Sequence, residues 1–188
     1  MATRIREHAT YDDLLRAPEN MVAELIDGEL YTWPRPRARH GHAQSVILTA
    51  INGTYGVGHS PGGWWIIVEP EVHLGPNAVV PDIGGWRRER MPELPDSHIY
   101  VVVPDWVCEV LSPSTARVDR GRKLTIYAAH GVPWAWYVDV DARTLEVMQL
   151  VNGIWQIVHV YTGNDIVRAE PFPLAEIDLT WIWGVVAE

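Results

Sequence analysis

The chain has 188 residues, 47% of them hydrophobic, which suits one domain with its own core. Its formal net charge of −9, from 24 acidic and 15 basic residues, counts against a surface coated with a nucleic-acid-attracting field, though a local basic patch is compatible with it. No stretch approaches the ~20 apolar residues of a membrane span, "MATRIREHATYDDLL" lacks the apolar run of a secretion signal, and the single cysteine, Cys108, cannot close an intramolecular disulfide, which fits a cytoplasmic setting.

In chain order, "ATYDDLLRAP" reads as a short helix started by Thr10 and stopped before Pro18. "AELIDGELYTW" reads as a hairpin, with Asp27-Gly28 supplying the positive-φ turn. "HAQSVILTAIN" places Ala43, Val46, Ile47, Ala50 and Ile51 on one helical face, ended by Gly53 and the Gly-rich "GVGHSPGG". "WWIIVEPEVHL" reads as a strand with a bulge or edge at Pro70, and "AVVPDIGGW" as a shorter strand after a "GPN" turn. "RRERMPELPDS" is an exposed loop.

"WVCEVLS" is the most apolar strand and so a central one. "SPSTARVDRGRKLTIYAAHG" leads through a loop into a helix stopped at Gly131, with Leu124, Tyr127 and Ala128 inward. "PWAWYVDV" follows as a strand parallel to the last, because a helix separates them. "TLEVMQLVNGIWQIVHVY" is a second hairpin, turning at Asn152-Gly153, and the tail "FPLAEIDLTWIW" packs back on the body. The order predicts an α/β sheet of mixed direction flanked by helices, with a hairpin added at each end.

Three of these strands carry an acid among apolar neighbours. Alternation puts Asp82 on a face with Val80 and Gly84, Glu109 with Val107 and Leu111, and Glu69 with Ile67. A buried carboxylate costs several kcal/mol without compensation, and two on adjacent strands repel unless a cation sits between them. Oxygen ligands of this kind suit Mg²⁺ or Mn²⁺. Plainer readings stand beside this one: Asp82 as a turn cap, Glu109 in a buried ion pair with an arginine. Lys123 is the only lysine among fifteen basic side chains. Lysine, unlike arginine, can be tuned to move a proton, while its spacing from Asp119 is also that of an ordinary solvated pair. The clusters Arg35/Arg37/Arg39, Arg87/Arg88/Arg90 and Arg117/Arg120/Arg122 read first as solvated loops.

Other signals lead less far. His40 and His42 stand two apart, which does not converge on one metal on a helix, and read as a helix start with surface polarity. Cys108 alternates away from Glu109 and belongs to the core. "SPST" reads as a helix entry, and "GVGHSPGG" lacks the lysine of a phosphate-binding loop.

"AELIDGEL", "VVPDI" and above all "VCEVLSPSTARVDRGRKLTIYAAHGVPWAWYVDVDARTLEV" resemble the Uma family of bacterial restriction-endonuclease-like proteins, within the PD-(D/E)XK nuclease superfamily. The resemblance runs from about Tyr11 to the C-terminal tail. It implies a core of helix, three strands, helix and strand, with Asp82 as the first acid and Glu109 as the second. Where the superfamily has a lysine two residues after the second acid this chain has Leu111, and the resemblance assigns that part to Lys123 on the next helix. It implies Mg²⁺-dependent hydrolysis of DNA phosphodiesters: Asp82 and Glu109 holding the metal, Glu69 as a further ligand, Lys123 orienting or deprotonating the water, and Arg117, Arg120 and Arg122 on flanking phosphates. Two rivals remain: a catalytically idle nuclease fold serving as a binding or assembly module, and a hydrolase of small phosphoesters. A homodimer through the Trp-rich hairpins would suit double-strand cutting.

Overall fold

The computed structural model of the chain describes residues 3–35, 37–57 and 62–184. Strand β1 (Thr3–Glu7) and helix α1 (Tyr11–Leu15) lead into the hairpin of β2 (Met21–Ile26) and β3 (Glu29–Pro34). The Asp13 carboxylate accepts the Thr10 N–H at 2.9 Å, which starts α1. Asp27 and Gly28 both take positive φ (51° and 73°), the turn that matches strand twist in a two-residue hairpin.

Helix α2 (Ala38–Ile51) ends in a π-turn over Asn52–Gly56. Ala43, Ile47 and Ile51 are its buried apolar stripe, while Val46 and Ala50 are only half-buried. Gln44 takes the remaining inward place because its amide donates to the Asp82 carbonyl at 2.6 Å.

The next two apolar runs do not form the strands expected of them. "WWIIVEPEVHL" splits into β4 (Trp64–Val68) and β5 (Glu71–Leu74), and "AVVPDIGGW" into β6 (Asn77–Val79) and β7 (Ile83–Arg87). At the first break Glu69 takes a left-handed φ of 46° and Pro70 has no N–H to donate. Pro81 lies in the second break. The β5–β6 hairpin therefore leaves the sheet of β4 and β7 and joins the N-terminal hairpin. One six-stranded sheet has the order β1-β3-β2-β6-β5-β8, its last strand being β8 (Ile99–Tyr100).

The other six-stranded sheet has the order β12-β11-β10-β9-β7-β4. Its centre, β9 (Trp106–Leu111), is buried at every position. The chain then crosses through α3 (Ala116–Val118), a π-turn (Asp119–Lys123) and α4 (Leu124–Ala129), and returns as β10 (Trp134–Asp139), parallel to β9 as expected. Strands β11 (Thr144–Val151) and β12 (Ile154–Thr162) form the second hairpin, with Asn152 and Gly153 at φ 51° and 78°. Strands β13 (Ile166–Ala169) and β14 (Phe172–Asp178) pair with each other, and α5 (Leu179–Trp183) packs on α2. The molecule is thus α/β with mixed sheets flanked by helices; two large sheets stand where one was expected. No helix among the described residues is long and apolar enough to cross a membrane.

Alternation along β9 and β10 builds two cores. Trp106, Cys108, Val110, Trp136 and Val138 face α2, where the chain's only Phe, Phe172, is ringed by Tyr55, Trp64, Trp106 and Trp136 at centroid distances of 4.8–5.7 Å. The opposite face, with Val107, Leu111, Ala135 and Tyr137, packs against α4 and against Ile26, Val72 and Val79 of the first sheet. Glu109 projects toward this second core, which gives the buried acid its unusual setting.

Candidate active site

Strands β7 and β9 are antiparallel with Ile83 opposite Cys108 and Gly84 opposite Val107. One step further along this register, Asp82 lies opposite Glu109. Strand β4 pairs with β7 through Val68 and Ile83, so the same step sets Glu69 beside Asp82, and the Glu69 N–H donates to the Asp82 carbonyl at 3.0 Å. The three backbones therefore line up in a row, Glu109 within β9, Asp82 just before β7 and Glu69 just after β4. Cross-strand neighbours hold their Cβ atoms about 4.5–5.5 Å apart. Gly84 is required beside this row: a Cβ there would come within 2.7 Å of the Trp86 ring and 2.9 Å of Pro70.

Lys123 reaches into the row from the π-turn. Its ammonium lies 2.8 Å from Glu109 Oε1, 3.2 Å from Glu24 Oε1 and 3.6 Å from Asp119 Oδ1, and donates to the Val80 carbonyl at 3.1 Å. Tyr127 of α4 donates to the same Glu109 oxygen at 2.7 Å. Glu24 also accepts the Val80 N–H at 2.5 Å. Lys123, Glu109, Glu24 and Asp119 are each no more than 4% exposed. The Asp119–Lys123 pair is therefore interior rather than the solvated helix pair its spacing allowed, and the partner of Glu109 is a lysine rather than an arginine.

Burial opposes every charge here. It would lower the Lys123 pKa, but the carboxylates of Glu109 and Glu24 outweigh it and hold the amine firmly protonated. Burial raises Glu109 well above the carboxylate range, against the pull of Lys123 and with the added repulsion of Asp119, Asp82 and Glu24. Burial likewise raises Asp119 to about 6, although Lys123 and a hydrogen bond from Thr115 favour its charged form. Three carboxyl groups share one ammonium, and of these Glu109 and Asp119 bind protons more tightly than free carboxylates do.

Asp82 stands at the open side of this cluster. Its Oδ2 accepts the Val110 N–H at 2.6 Å, and its Oδ1 lies 2.7 Å from His40 Nε2. The two side chains are 16% and 14% exposed, more open to solvent than Lys123. Burial would lower the His40 pKa, yet Asp82, with Asp119 and Glu69 behind it, carries the net shift upward. His40 thus packs into the candidate site rather than serving as surface polarity, and Glu24 is a second residue in contact with it that sequence reasoning passed over. His42, two residues on, instead bonds the Trp181 carbonyl.

The row offers hard oxygen donors, but among the described residues no three His, Cys, Asp or Glu side chains are grouped to hold a metal. Mg²⁺ commonly uses one or two carboxylates and completes its shell with water and phosphate oxygens, so the adjacent Asp82 and Glu109 fit it in donor type and number. Glu69 shares the row through its backbone, and its left-handed φ sets its side chain apart from ordinary strand alternation.

The three arginines divide. Arg120 makes a two-pronged pair with Glu146 at 2.7 and 2.8 Å and lies over the Tyr137 ring. Arg122 pairs with Glu29 at 2.7 Å. Arg117 is exposed and makes no ion pair among the described residues.

Comparison with known proteins bears on family and fold. The model of the Uma2 family, described as "Putative restriction endonuclease", matches residues 9–180. A crystal structure of a "putative nuclease belonging to DUF820" from Anabaena variabilis superposes with a TM-score of 0.74 at 23% identity, over 94% of this chain and 98% of that one, and so shares the fold. No curated protein matches the chain.

Proposed function

We propose a nuclease function from this premise: the chain belongs to the Uma2 family of restriction-endonuclease-type proteins. The reaction is hydrolysis of DNA phosphodiester bonds assisted by Mg²⁺ or Mn²⁺. The observation that carries it is the position of Asp82, one residue before β7 and bonded to the Val110 N–H, beside Glu109 of β9, with the Lys123 ammonium 2.8 Å from Glu109.

Asp82 and Glu109 would hold the metal; Glu69, expected as a further ligand, is not grouped with them, because its left-handed φ of 46° takes its side chain out of strand alternation. The ion, when bound, lowers the pKa of a coordinated water and offsets charge on the phosphoryl oxygens. The chain's own residues set the stage for that chemistry. Lys123 is a fixed cation that offsets the mutual repulsion of Glu109, Glu24 and Asp119. Its burial keeps it from exchanging protons freely with solvent. His40 and the Val110 N–H hold the two oxygens of Asp82 in one orientation. Arg117 is the arginine free to meet a flanking phosphate.

The test is incubation of purified protein with plasmid DNA and Mg²⁺ or Mn²⁺, beside the Asp82→Asn variant. Nicking by the parent chain and none by the variant supports the reading. Unchanged nicking by Asp82→Asn rules out the site. An idle nuclease fold is favoured by one observation, the occupation of Glu109 Oε1 by both Lys123 and Tyr127. It requires that calorimetry detect no Mn²⁺ binding and that no DNA be cut.

A further inference from the structure

The two oxygens of Glu109 are unequal. Oε1 meets two donors, the Lys123 ammonium at 2.8 Å and the Tyr127 hydroxyl at 2.7 Å. Lys123 and Tyr127 stand four residues apart across the π-turn and α4, so both reach the acid from one helical face. Oε2 has no hydrogen-bond partner among the described residues. Nor is it sealed: the enclosed, unpartnered side-chain atoms among those residues belong to Trp33, Arg88 and Trp106, and 3% of the Glu109 side chain stays open. A carboxylate oxygen in so buried a place is costly unless a ligand or water meets it.

Burial of the Tyr127 ring does not by itself call for this partner. A buried tyrosine hydroxyl needs a hydrogen-bond partner, and a backbone carbonyl serves, as that of Asp119 does for Tyr137. A second donor on an oxygen that already faces an ammonium adds direction more than charge. Lysine approaches on a flexible stem, whereas Tyr127 is wholly buried and brings its hydroxyl on a rigid ring.

We infer that Tyr127 is a positioning residue for metal binding: with Lys123 it anchors Oε1 of Glu109 and so presents Oε2 as the ligand oxygen. This role rests on the nuclease reading above, which makes no use of Tyr127. On it, the occupied Oε1 supports the ligand rather than obstructing it. Residues that hydrogen-bond a metal's ligands commonly matter about 10–100-fold in metal affinity.

Calorimetric titration of the full chain with Mn²⁺ tests the role apart from cleavage. The parent chain is expected to bind, and Tyr127→Phe, checked for unchanged circular dichroism, to bind about 10–100-fold more weakly. Nicking of plasmid DNA by that variant should need correspondingly more Mn²⁺ for its half-maximal rate and recover at saturation, a shift that loss of stability alone does not produce. Tyr161→Phe, which loses a bond to the Arg168 carbonyl outside the site, should leave the affinity unchanged. Glu109→Gln is a second probe, independent of whether Tyr127→Phe folds. Lys123 can only donate, so the amide oxygen must take the Oε1 place and the NH₂ group the ligand place. This variant should fold and lose Mn²⁺ binding. A parent chain that binds no Mn²⁺ overturns this role and the nuclease reading together. A parent that binds, with Tyr127→Phe or Glu109→Gln binding as tightly, overturns the role of Tyr127 alone.

Discussion

Replacing Lys123 by methionine removes the ammonium that touches three buried carboxyl groups while keeping most of the side-chain volume. Breaking a buried charge pair by deleting one partner costs about 3–5 kcal/mol, because the other partner is left uncompensated. Lys123 lies 2.8, 3.2 and 3.6 Å from its partners and is almost wholly buried, so the full range applies without discount for solvent screening. Set against a total stability of about 5–15 kcal/mol, the loss is large. At about 2–4 °C per kcal/mol for a chain of this size it lowers Tm by about 6–20 °C.

The deficit depends on pH, and its sign follows from the carboxyl groups. Asp119 in the folded chain titrates near 6, and Glu109 is also raised. A carboxyl group with a raised folded pKa contributes its stability at low pH and loses it as pH rises through the folded value. The penalty of Lys123→Met should therefore be greatest above pH 6 and shrink toward pH 4–5, where these groups are neutral. Thermal unfolding of parent and variant across pH 4–8 measures this directly. A second change, Glu109→Gln, should restore part of the loss at neutral pH. An equal deficit at every pH, or none, would refute the account of Lys123 as the counter-charge of this cluster.

Other substitutions probe separate features. Phe172→Ala empties the centre of four aromatic rings and should cost about 3–5 kcal/mol in urea unfolding. Gly84→Ala forces a methyl group against Trp86 and Pro70, with an expected loss of about 1–3 kcal/mol by the same assay. Arg117→Ala should weaken DNA binding and reduce the slope of log affinity against log salt by about 1, measured by fluorescence anisotropy. Arg120→Ala should act mainly through folding stability, because its guanidinium is already committed to Glu146.

Parts of this molecule are legible in its sequence for identifiable reasons. Asp-Gly and Asn-Gly fix two hairpins because both residues of each turn need positive φ, and few residue types accept it. Strand β9 stands out as an apolar run, and the helix after it dictates a parallel return. The split of two runs between separate sheets was not legible, since periodicity reports which face a residue takes and not which neighbour a strand pairs with. Pro70 and Pro81 mark both breaks, but they were compatible with a bulge as well. Glu24 carried the signal used for the other acids: in "VAELI" it shares a face with Val22 and Ile26, and a carboxylate on an apolar face invites a search for its partner. His40 carried no such signal. Its role arises only when α2 packs beside the start of β7, a contact between residues 42 positions apart.

The extra residue in β12 has a mechanical consequence. His159 lies opposite Val147 and Ile157 opposite Met148, so Val158 is inserted without a partner on β11. The insertion reverses the in-out parity halfway along the strand. Trp155 can then reach the Leu124 carbonyl on the α4 side while Tyr161 reaches the Arg168 carbonyl on the other. One strand thereby pins both layers of the molecule, and excising that single valine would force one of the two rings into water.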